Sequence, residues 1–505
     1  MKRIVLQILK NLLLIVIILL LSLSIFSTNW AVSTFNFLNF DEVLFQLTTP
    51  IKSASSTILS SFIWESLFRA LLATGFIFIV LFFIFHYFSG HRFDFTIQFK
   101  KKTFQFSING STFKRMIRIV CFIMALGVFY YCLDKMLILD YVKAQSEESS
   151  FIEDNYVDPK KVKITFPEQK RNLIYIYVES LESTYFSEEL GGESSNNYLE
   201  PITNLTRENI SFSDTELFGG AVNANGTGWT SGAMIAQTAG IPLKNSLDNI
   251  TGISTMLKGA TSLGNILDDN GYHQMLMIGS DKNFGNRGTY FTDHGDYDIY
   301  DYYTAKQRRK IADDYYVWWG FEDSKLFNFA KEEITSLASL DQPFNFTMLT
   351  ANTHPVGGYV DEGCPYLYEN NYYNSIYCSA TQLQGFVQWI QQQDFYENTT
   401  VIIVGDHTSM EENLYPEEAR RRIYNVFINS AVTEGNFKNR QFTSMDLFPT
   451  TLASMGATIE GDQLGLGTNL FSSKKTLLEE VGDQDAFDNE INKYSSFYMN
   501  NFYYS

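Results

Sequence analysis

The sequence predicts an α/β domain with a mainly parallel central sheet and helices on both faces, preceded by an α-helical membrane region of about three spans. Three observations carry this expectation. Apolar runs long enough to cross a bilayer occupy the amino-terminal part of the chain. Buried-strand patterns alternate with helical ones after residue 171, the mark of an α/β sheet. The 505-residue length leaves room for one large domain of roughly 300 residues beside the membrane segments.

Residues 12–26, "LLLIVIILLLSLSIF", reach spanning length once their flanks are included, and 70–88, "ALLATGFIFIVLFFIFHYF", carry no acidic or basic charge. Either suits a hydrocarbon layer about 30 Å thick. A third, shorter run is "IVCFIMALGVFYYCL" at 119–133. The spans are expected at about 11–31, 67–88 and 116–136, within a membrane region of residues 1–137. A cleaved signal peptide is the alternative for the first, but no small-x-small cleavage motif follows it promptly and two more spans come after.

Lys2, Arg3 and Lys10 precede the first span, and Arg92, Lys100, Lys101, Lys102, Lys114 and Arg115 lie between the second and third; residues 31–66 contain only Lys52. Positive charge stays on the cytoplasmic side. The amino terminus is therefore expected inside the cell membrane and everything after about residue 137 outside it. The net charge of −18 argues against a nucleic-acid partner. Cys121 and Cys132 fall in the third apolar run, whereas Cys364 and Cys378 fall in the exterior part, where oxidation is permitted. A bridge there would close a loop of about 15 residues and contribute on the order of 3 kcal/mol; two free thiols are the alternative.

In chain order, residues 138–170 are polar and charged and are expected to form a linker or stalk. The domain, 171–472, opens with a buried strand from Leu173 to Val178 that ends at Glu179. The helical "SLGNILDDNGY" precedes a strand "QMLMIGS" at 274–280, and "FNFTMLTANTH" is a strand ending in His354. "SATQLQGFVQWIQQQ" puts Leu383, Phe386, Val387 and Ile390 on one helical face before the strand "TTVIIVGDH". The tail, 473–505, is expected to be a surface helix with an aromatic end. Ligands of such sheets bind beyond the carboxyl ends of the strands, which directs attention to Glu179, Ser280 with Asp281, His354, and Asp406 with His407.

A carboxylate at one strand end and an Asp-His pair at another supply ligands suited to a divalent cation such as Mn²⁺ or Zn²⁺; a capping acid or a chance dipeptide would explain either alone. "NANGTGWTSGAMIAQTAGIPL", residues 223–243, adds the hydroxyls of Thr227, Thr230 and Ser231 before a helix stopped by Gly240 and Pro242. Thr230 is either an ordinary cap of that helix or a nucleophile. A helix amino terminus favours a bound phosphate, and a metal would activate the hydroxyl for attack on phosphorus.

"NLIYIYVESLESTYF", "GTGWTSGAMIAQTAGIPL", "LGNILDDNGYHQMLMIGSDKNFGNRGTYF", "WWGFEDSKL", "TANTHPVGGY" and "VIIVGDHTSM" occur in the order seen in membrane phosphoglycerol transferases. Over roughly residues 170–472 the chain resembles that family, which includes lipoteichoic acid synthases and, closer to this sequence, enzymes that decorate periplasmic glucans. The resemblance implies an extracytoplasmic domain of the alkaline phosphatase and sulfatase type. It implies metal ligation by Glu179, Thr230, Asp406 and His407, with Thr230 as nucleophile and Mn²⁺ as the metal, Mg²⁺ or Zn²⁺ being alternatives. Arg287 matches an arginine that grips the phosphate, and His354 a histidine near the leaving or entering oxygen. Asp281 could add a polar substrate contact, although a solvated loop residue is the plainer reading. Cys364 and Cys378 match two cysteines flanking the corresponding loop of the glucan-modifying enzymes. One departure touches the glycerol pocket: lipoteichoic acid synthases have tryptophan where this chain has Gly285.

The implied activity is transfer of glycerol phosphate from phosphatidylglycerol to an extracytoplasmic glycan or teichoic-acid acceptor through a covalent Thr230 intermediate. A phosphoethanolamine transferase is the alternative, disfavoured because such enzymes carry a richer histidine set and this chain has six histidines in all. A sulfatase would need a Cys/Ser-x-Pro-x-Arg motif, which is absent around Thr230. A catalytically silent surface-binding protein would be expected to lose at least one of Glu179, Thr230, Asp406 and His407, and all four are present.

Overall fold

The computed structural model describes residues 2–35, 40–48, 56–87, 91–99, 102–245, 256–411, 414–416 and 418–503. Lys52, Lys100 and Lys101, used above to orient the chain, lie outside them. The chain begins with helix α1 (Lys2–Phe35), α2 (Phe40–Thr48), α3 (Ser56–Ser61) and α4 (Arg69–Tyr87), then an antiparallel hairpin of β1 (Arg92–Phe99) and β2 (Lys102–Asn109), then α5 (Gly110–Lys135). Three helical stretches, Ile8–Thr34, Leu59–Tyr87 and Gly110–Lys135, are long and apolar enough to cross a membrane. All three run a few residues past the bounds expected from sequence at one end or both. The chain divides into two compact units, 1–36 with 55–140, and 37–54 with 141–505.

The second unit is built on a six-stranded sheet. Its strands are β4 (Asn172–Val178), β5 (His273–Ile278), β6 (Asp298–Tyr300), β7 (Phe344–Leu349), β8 (Thr399–Gly405) and β9 (Asn425–Ile428), in spatial order β6-β5-β7-β4-β8-β9. Every pairing is parallel except β8 with β9. Apolar side chains on both faces are what a sheet covered by helices on both sides requires. In β4, Leu173, Tyr175 and Tyr177 enter one core, while Ile174, Ile176 and Val178 enter the other.

Two expectations about the ends of this domain are corrected. Residues 138–170 are not an extended stalk. They include the helices α6 (Ile138–Gln145) and α7 (Phe151–Asn155) and a short strand, β3 (Ile164–Thr165), paired with Thr458–Ile459. Tyr141 and Ile152 are buried, and this apolar minority among polar neighbours anchors the segment. The tail is likewise not a surface appendage: Phe487, Ile491, Tyr498 and Phe502 join the same core as Tyr175, and Tyr498 donates to the Pro242 carbonyl at 2.6 Å. Its aromatic residues bury too much apolar surface to be left in water.

Segment 37–54, expected as part of the membrane region, groups with the second unit. The Asp41 carboxylate accepts from the Asn245 amide at 2.7 Å and Asn245 Nδ2 donates to the Asp41 carbonyl at 3.0 Å. Asp41, Glu42, Val43, Leu44 and Phe45 are all buried, so both polar and apolar faces of α2 are covered.

Candidate functional site

The register of the sheet assembles the site. Val178 of β4 is paired with Gly405 of β8, so the residues that follow them, Glu179 and Asp406, emerge side by side. Two local features permit this. A side chain at Gly405 would collide with the Leu181 carbonyl, so glycine lets the turn after β4 pass against β8. Ser180 takes a left-handed conformation, φ 56°, a strained state typical of functional turns. It is held by Asp406 Oδ1, which accepts from the Ser180 amide at 2.8 Å and the His407 amide at 2.9 Å.

Glu179, Asp406 and His407 place one ligand atom each within 4.8 Å of one another, all buried. His407 Nε2 lies 3.3 Å from Asp406 Oδ2 and 3.7 Å from Glu179 Oε1. His407 Nδ1 is 2.8 Å from the Thr408 carbonyl; a proton there, the assignment this partner requires, leaves Nε2 bare toward the carboxylates. That is how metal-ligating histidines are oriented. Asp406 Oδ2 is buried with no hydrogen-bond partner among the described residues, a costly state for a carboxylate oxygen. Burial, and then the neighbouring Glu179, push Asp406 up to about 6. Burial pulls His407 down, but Asp406 and Glu179 outweigh it and the net shift is upward. An orphaned oxygen, crowded negative charge and a bare imidazole nitrogen fit a divalent cation.

Thr230 is the first residue of the helix Thr230–Ala239 and is half-buried. The cap position belongs to Trp229, which makes no side-chain cap bond, so Thr230 does not serve as an N-cap. Further along this helix, Gln237 donates to the Gly405 and Asp406 carbonyls at 3.2 and 3.3 Å, which fixes it against the end of β8. Ser231 Oγ donates to the Gly285 carbonyl at 2.7 Å, and Thr227 Oγ1 to the Ala224 carbonyl at 2.9 Å. Both hydroxyls are thus committed to backbone.

Arg287 starts the helix Arg287–Asp293 and is buried. Its Nε donates to the Phe284 carbonyl at 2.9 Å, and Nη2 to Ser280 Oγ at 3.0 Å and the Asp281 carbonyl at 3.1 Å. Nη1 has no protein partner among the described residues. Burial lowers the guanidinium to about 10 against the opposing pull of Glu179, Asp281 and Asp406, so it stays charged at neutral pH. The Asp281 carboxylate instead accepts from Asn283 N and Nδ2 at 2.8 and 2.9 Å; its role in the geometry is its carbonyl, which holds Arg287.

His354 lies on the loop after β7. Its Nδ1 faces the Pro355 carbonyl at 2.5 Å, and burial, foremost, drives the ring down to about 4. Trp319 sits beside it, ring centroids 4.4 Å apart, and also beside Phe284 at 5.2 Å. Cys364 and Cys378 are joined by a disulfide that ties this loop to the helix Asn371–Gln391. From that helix Tyr372 OH donates to the Thr353 carbonyl at 2.9 Å and meets Ser409 Oγ at 2.6 Å.

Sequence reasoning missed three contributions. Glu182, fully buried, accepts from both Arg421 Nε and Nη2 and from the Ser409 amide, which clamps the segment just past His407. Trp319 lies in "WWGFEDSKL", a motif that carries the resemblance without assigning this ring a role. From α2, Phe45 packs near Trp229, ring centroids 6.1 Å apart, and beside Gly285, while the Glu42 carboxylate acts on the charge of His407. Gly285 has φ +61°, and a Cβ there would lie 2.5 Å from Ser231 Oγ.

A family model described as Sulfatase matches residues 171–457. The chain is similar to Phosphoglycerol transferase I of Escherichia coli (strain 55989 / EAEC), 27% identical over 354 residues, covering 67% of this chain and 43% of that protein. It is similar to Phosphoglycerol transferase I of Salmonella choleraesuis (strain SC-B67), 27% identical over 343 residues, covering 65% and 42%. The chain therefore spans less than half the length of these curated relatives. Among solved structures it is similar in fold to the integral membrane protein lipooligosaccharide phosphoethanolamine transferase A from Neisseria meningitidis. There the TM-score is 0.51 and the identity 13%, with 88% of this chain and 84% of that one covered.

Proposed function

The chain belongs to the sulfatase family, and from that premise we propose that it is a membrane-anchored phosphoglycerol transferase. It moves glycerol phosphate from phosphatidylglycerol to a hydroxyl of an extracytoplasmic glycan or teichoic-acid chain. The observation that carries this reading is the buried Glu179, Asp406 and His407 cluster with its unpartnered Asp406 Oδ2, at the sheet edge to which the helix beginning at Thr230 is tied. The named relatives supply the transferred group.

Glu179, Thr230, Asp406 and His407 would hold a divalent cation, Mn²⁺ first among the candidates, whose chemistry when bound is to offset negative charge and favour the ionised Thr230 hydroxyl. Thr230 Oγ1 attacks the phosphorus of the donor, forming an O–P bond as the bond to the diacylglycerol oxygen breaks. The proton that Thr230 loses passes by way of His354 Nε2 to the departing oxygen, and a glycerophosphoryl-threonine remains. Attack by an acceptor hydroxyl then releases Thr230. Arg287 Nη1 and the free amides of the helix amino terminus bind the phosphate oxygens. Neutral His354, with Nδ1 committed to Pro355, has Nε2 available to accept a proton before it gives one. Phosphoryl transfer asks chiefly for such positioning and charge complementarity.

The test is incubation of the full chain with Mn²⁺ and phosphatidylglycerol labelled in its terminal glycerol. Label should become bound to the protein while diacylglycerol is released, and Thr230→Ala should lose both. Equal diacylglycerol release by the Thr230→Ala protein would refute Thr230 as nucleophile. Preferential turnover of phosphatidylethanolamine in the same assay would refute the donor.

A further inference from the structure

The segment "WWGFEDSKL", residues 318–326, is not accounted for by the groups assigned to the donor. Its two tryptophans occupy the central positions of a tight turn, in which the Val317 and Gly320 amides donate to each other's carbonyls, each at 2.9 Å. Trp318, the first of them, takes φ 57°. Two-residue turns favour glycine or asparagine there, and a bulky residue in the left-handed region is strained. Strain of this kind clusters at ligand clamps and active sites. What the turn presents is an aromatic shelf. Trp318 stacks on Tyr359 with ring planes 26° apart and centroids 6.2 Å apart, and both rings remain half-exposed. Trp319 packs on His354 instead, at 4.4 Å.

The shelf is held in place beside the site. Trp318 Nε1 donates to the Ala351 carbonyl at 2.8 Å, and the Tyr359 amide to the Asn352 carbonyl at 2.6 Å, so both residues are fastened to the stretch between β7 and His354. That stretch is itself fixed by the buried Asp323, whose carboxylate accepts from the Ala351 and Asn352 amides at 2.8 and 3.1 Å. The charge around the shelf is one-sided. The segments that carry the two rings, 312–325 and 355–369, leave Asp313, Asp314, Glu362 and Glu369 exposed, and their only lysine or arginine, Lys325, is paired with Glu322. Such a surface repels a chain of phosphodiesters, since like charges brought together suppress wrong partners. A neutral sugar meets no such barrier. The flat face of a pyranose carries C–H groups that pack on the electron-rich face of an aromatic ring, and its hydroxyls donate to carboxylates at the rim.

We propose that Trp318 and Tyr359 form the acceptor subsite and that its occupant is a neutral glycan, with one pyranose ring lying on the shelf while a hydroxyl of the same chain reaches the phosphorus. This rests on the reading of Thr230 as the carrier of glycerol phosphate. The hydroxyl oxygen bonds to phosphorus as the bond between phosphorus and Thr230 Oγ1 breaks. Its proton passes through His354 Nε2, on which Trp319 packs, to the released Thr230 oxygen. The two rings serve this second half of the reaction, after diacylglycerol has left. Of the two acceptor classes, glycan and teichoic-acid chain, the shelf selects the glycan.

The test uses the full chain with Mn²⁺ in vesicles of phosphatidylglycerol labelled in its terminal glycerol, and offers as acceptor either a linear glucose oligosaccharide or a glycerol phosphate oligomer of matched length. Label should pass from the protein to the oligosaccharide. Trp318→Gly, which the φ of the turn accommodates without strain, and Tyr359→Ala should each raise the KM for the oligosaccharide about tenfold, the worth of one good stacking contact. Label should still reach the protein at the parent rate in both. Without donor, the oligosaccharide should shift the tryptophan emission of the parent chain and leave that of Trp318→Gly unmoved. An unchanged KM in both variants, with the emission response intact in Trp318→Gly, would overturn the shelf and leave the Thr230 intermediate standing. Transfer to the glycerol phosphate oligomer in preference to the sugar would replace the neutral occupant with a polyanion. If the parent takes up no label, the phosphoglycerol reading fails and the emission titration alone decides the shelf: a shift lost in Trp318→Gly upholds it, and no shift in the parent overturns it.

Discussion

Ser231 and Thr230 are neighbours with opposite commitments. Ser231 spends its hydroxyl on the Gly285 carbonyl, tying the helix that starts with Thr230 to the loop that carries Arg287. Ser231→Ala should lower stability by about 1 kcal/mol, the usual worth of one neutral hydrogen bond, read by denaturant titration. Covalent labelling should survive it. Loss of labelling as complete as that of Thr230→Ala would show instead that the two hydroxyls act together. At this scale the sequence is informative wherever a candidate side chain directly follows a strand: the positions of Glu179 and Asp406 are both legible, because strand ends can be read from apolar runs. Thr230 could be narrowed from three hydroxyls only by resemblance, since its distinction from Ser231 and Thr227 lies in which carbonyls the other two reach. Those bonds have no local signature.

Among the elements, α2 makes a contribution that no pattern in its residues marks. Residues 40–48 fall inside the stretch expected as membrane region, and only the tertiary fold puts Phe45 against Trp229 and beside Gly285. Phe45 is 1% exposed, and truncating a buried phenylalanine costs about 3–5 kcal/mol. An element held by so few turns cannot absorb that loss. Phe45→Ala should therefore release α2 while the sheet stays folded. Hydrogen exchange should show lost protection confined to residues 40–48 and their contacts near 245. Unchanged protection there would mean that the Asp41 bonds to Asn245 suffice. The linker and tail were misjudged for a related reason. Polar residues dominate both by count, but burial is decided by a few positions such as Ile152, Phe487 and Tyr498.

For the whole molecule, the proposed cation site at the carboxyl end of the sheet would tie stability to metal. Crowded buried carboxylates oppose folding unless a cation binds the folded state alone, and such binding adds about 2.7 kcal/mol when the free ion is a hundred times its Kd. Chelation should lower Tm by several degrees in calorimetry, and Mn²⁺ should restore it. Asp406→Asn should make the protein indifferent to both treatments. No response to Mn²⁺, Mg²⁺ or Zn²⁺ would remove the cation from the proposed chemistry. The parallel sheet itself was legible from alternating strand and helix patterns. Its strand order was not, because the β4 and β8 pairing joins residues more than two hundred positions apart.

The placement of α2 bears on how the protein could be divided. A soluble fragment starting at residue 141 would contain every residue assigned to the chemistry, yet it would lack the helix that covers Trp229 and Gly285. Such a fragment would carry an apolar breach in the wall of its own site. If the proposed function holds, release of residues 141–505 from α2 should therefore yield a catalyst with altered headgroup selectivity and a tendency to self-associate.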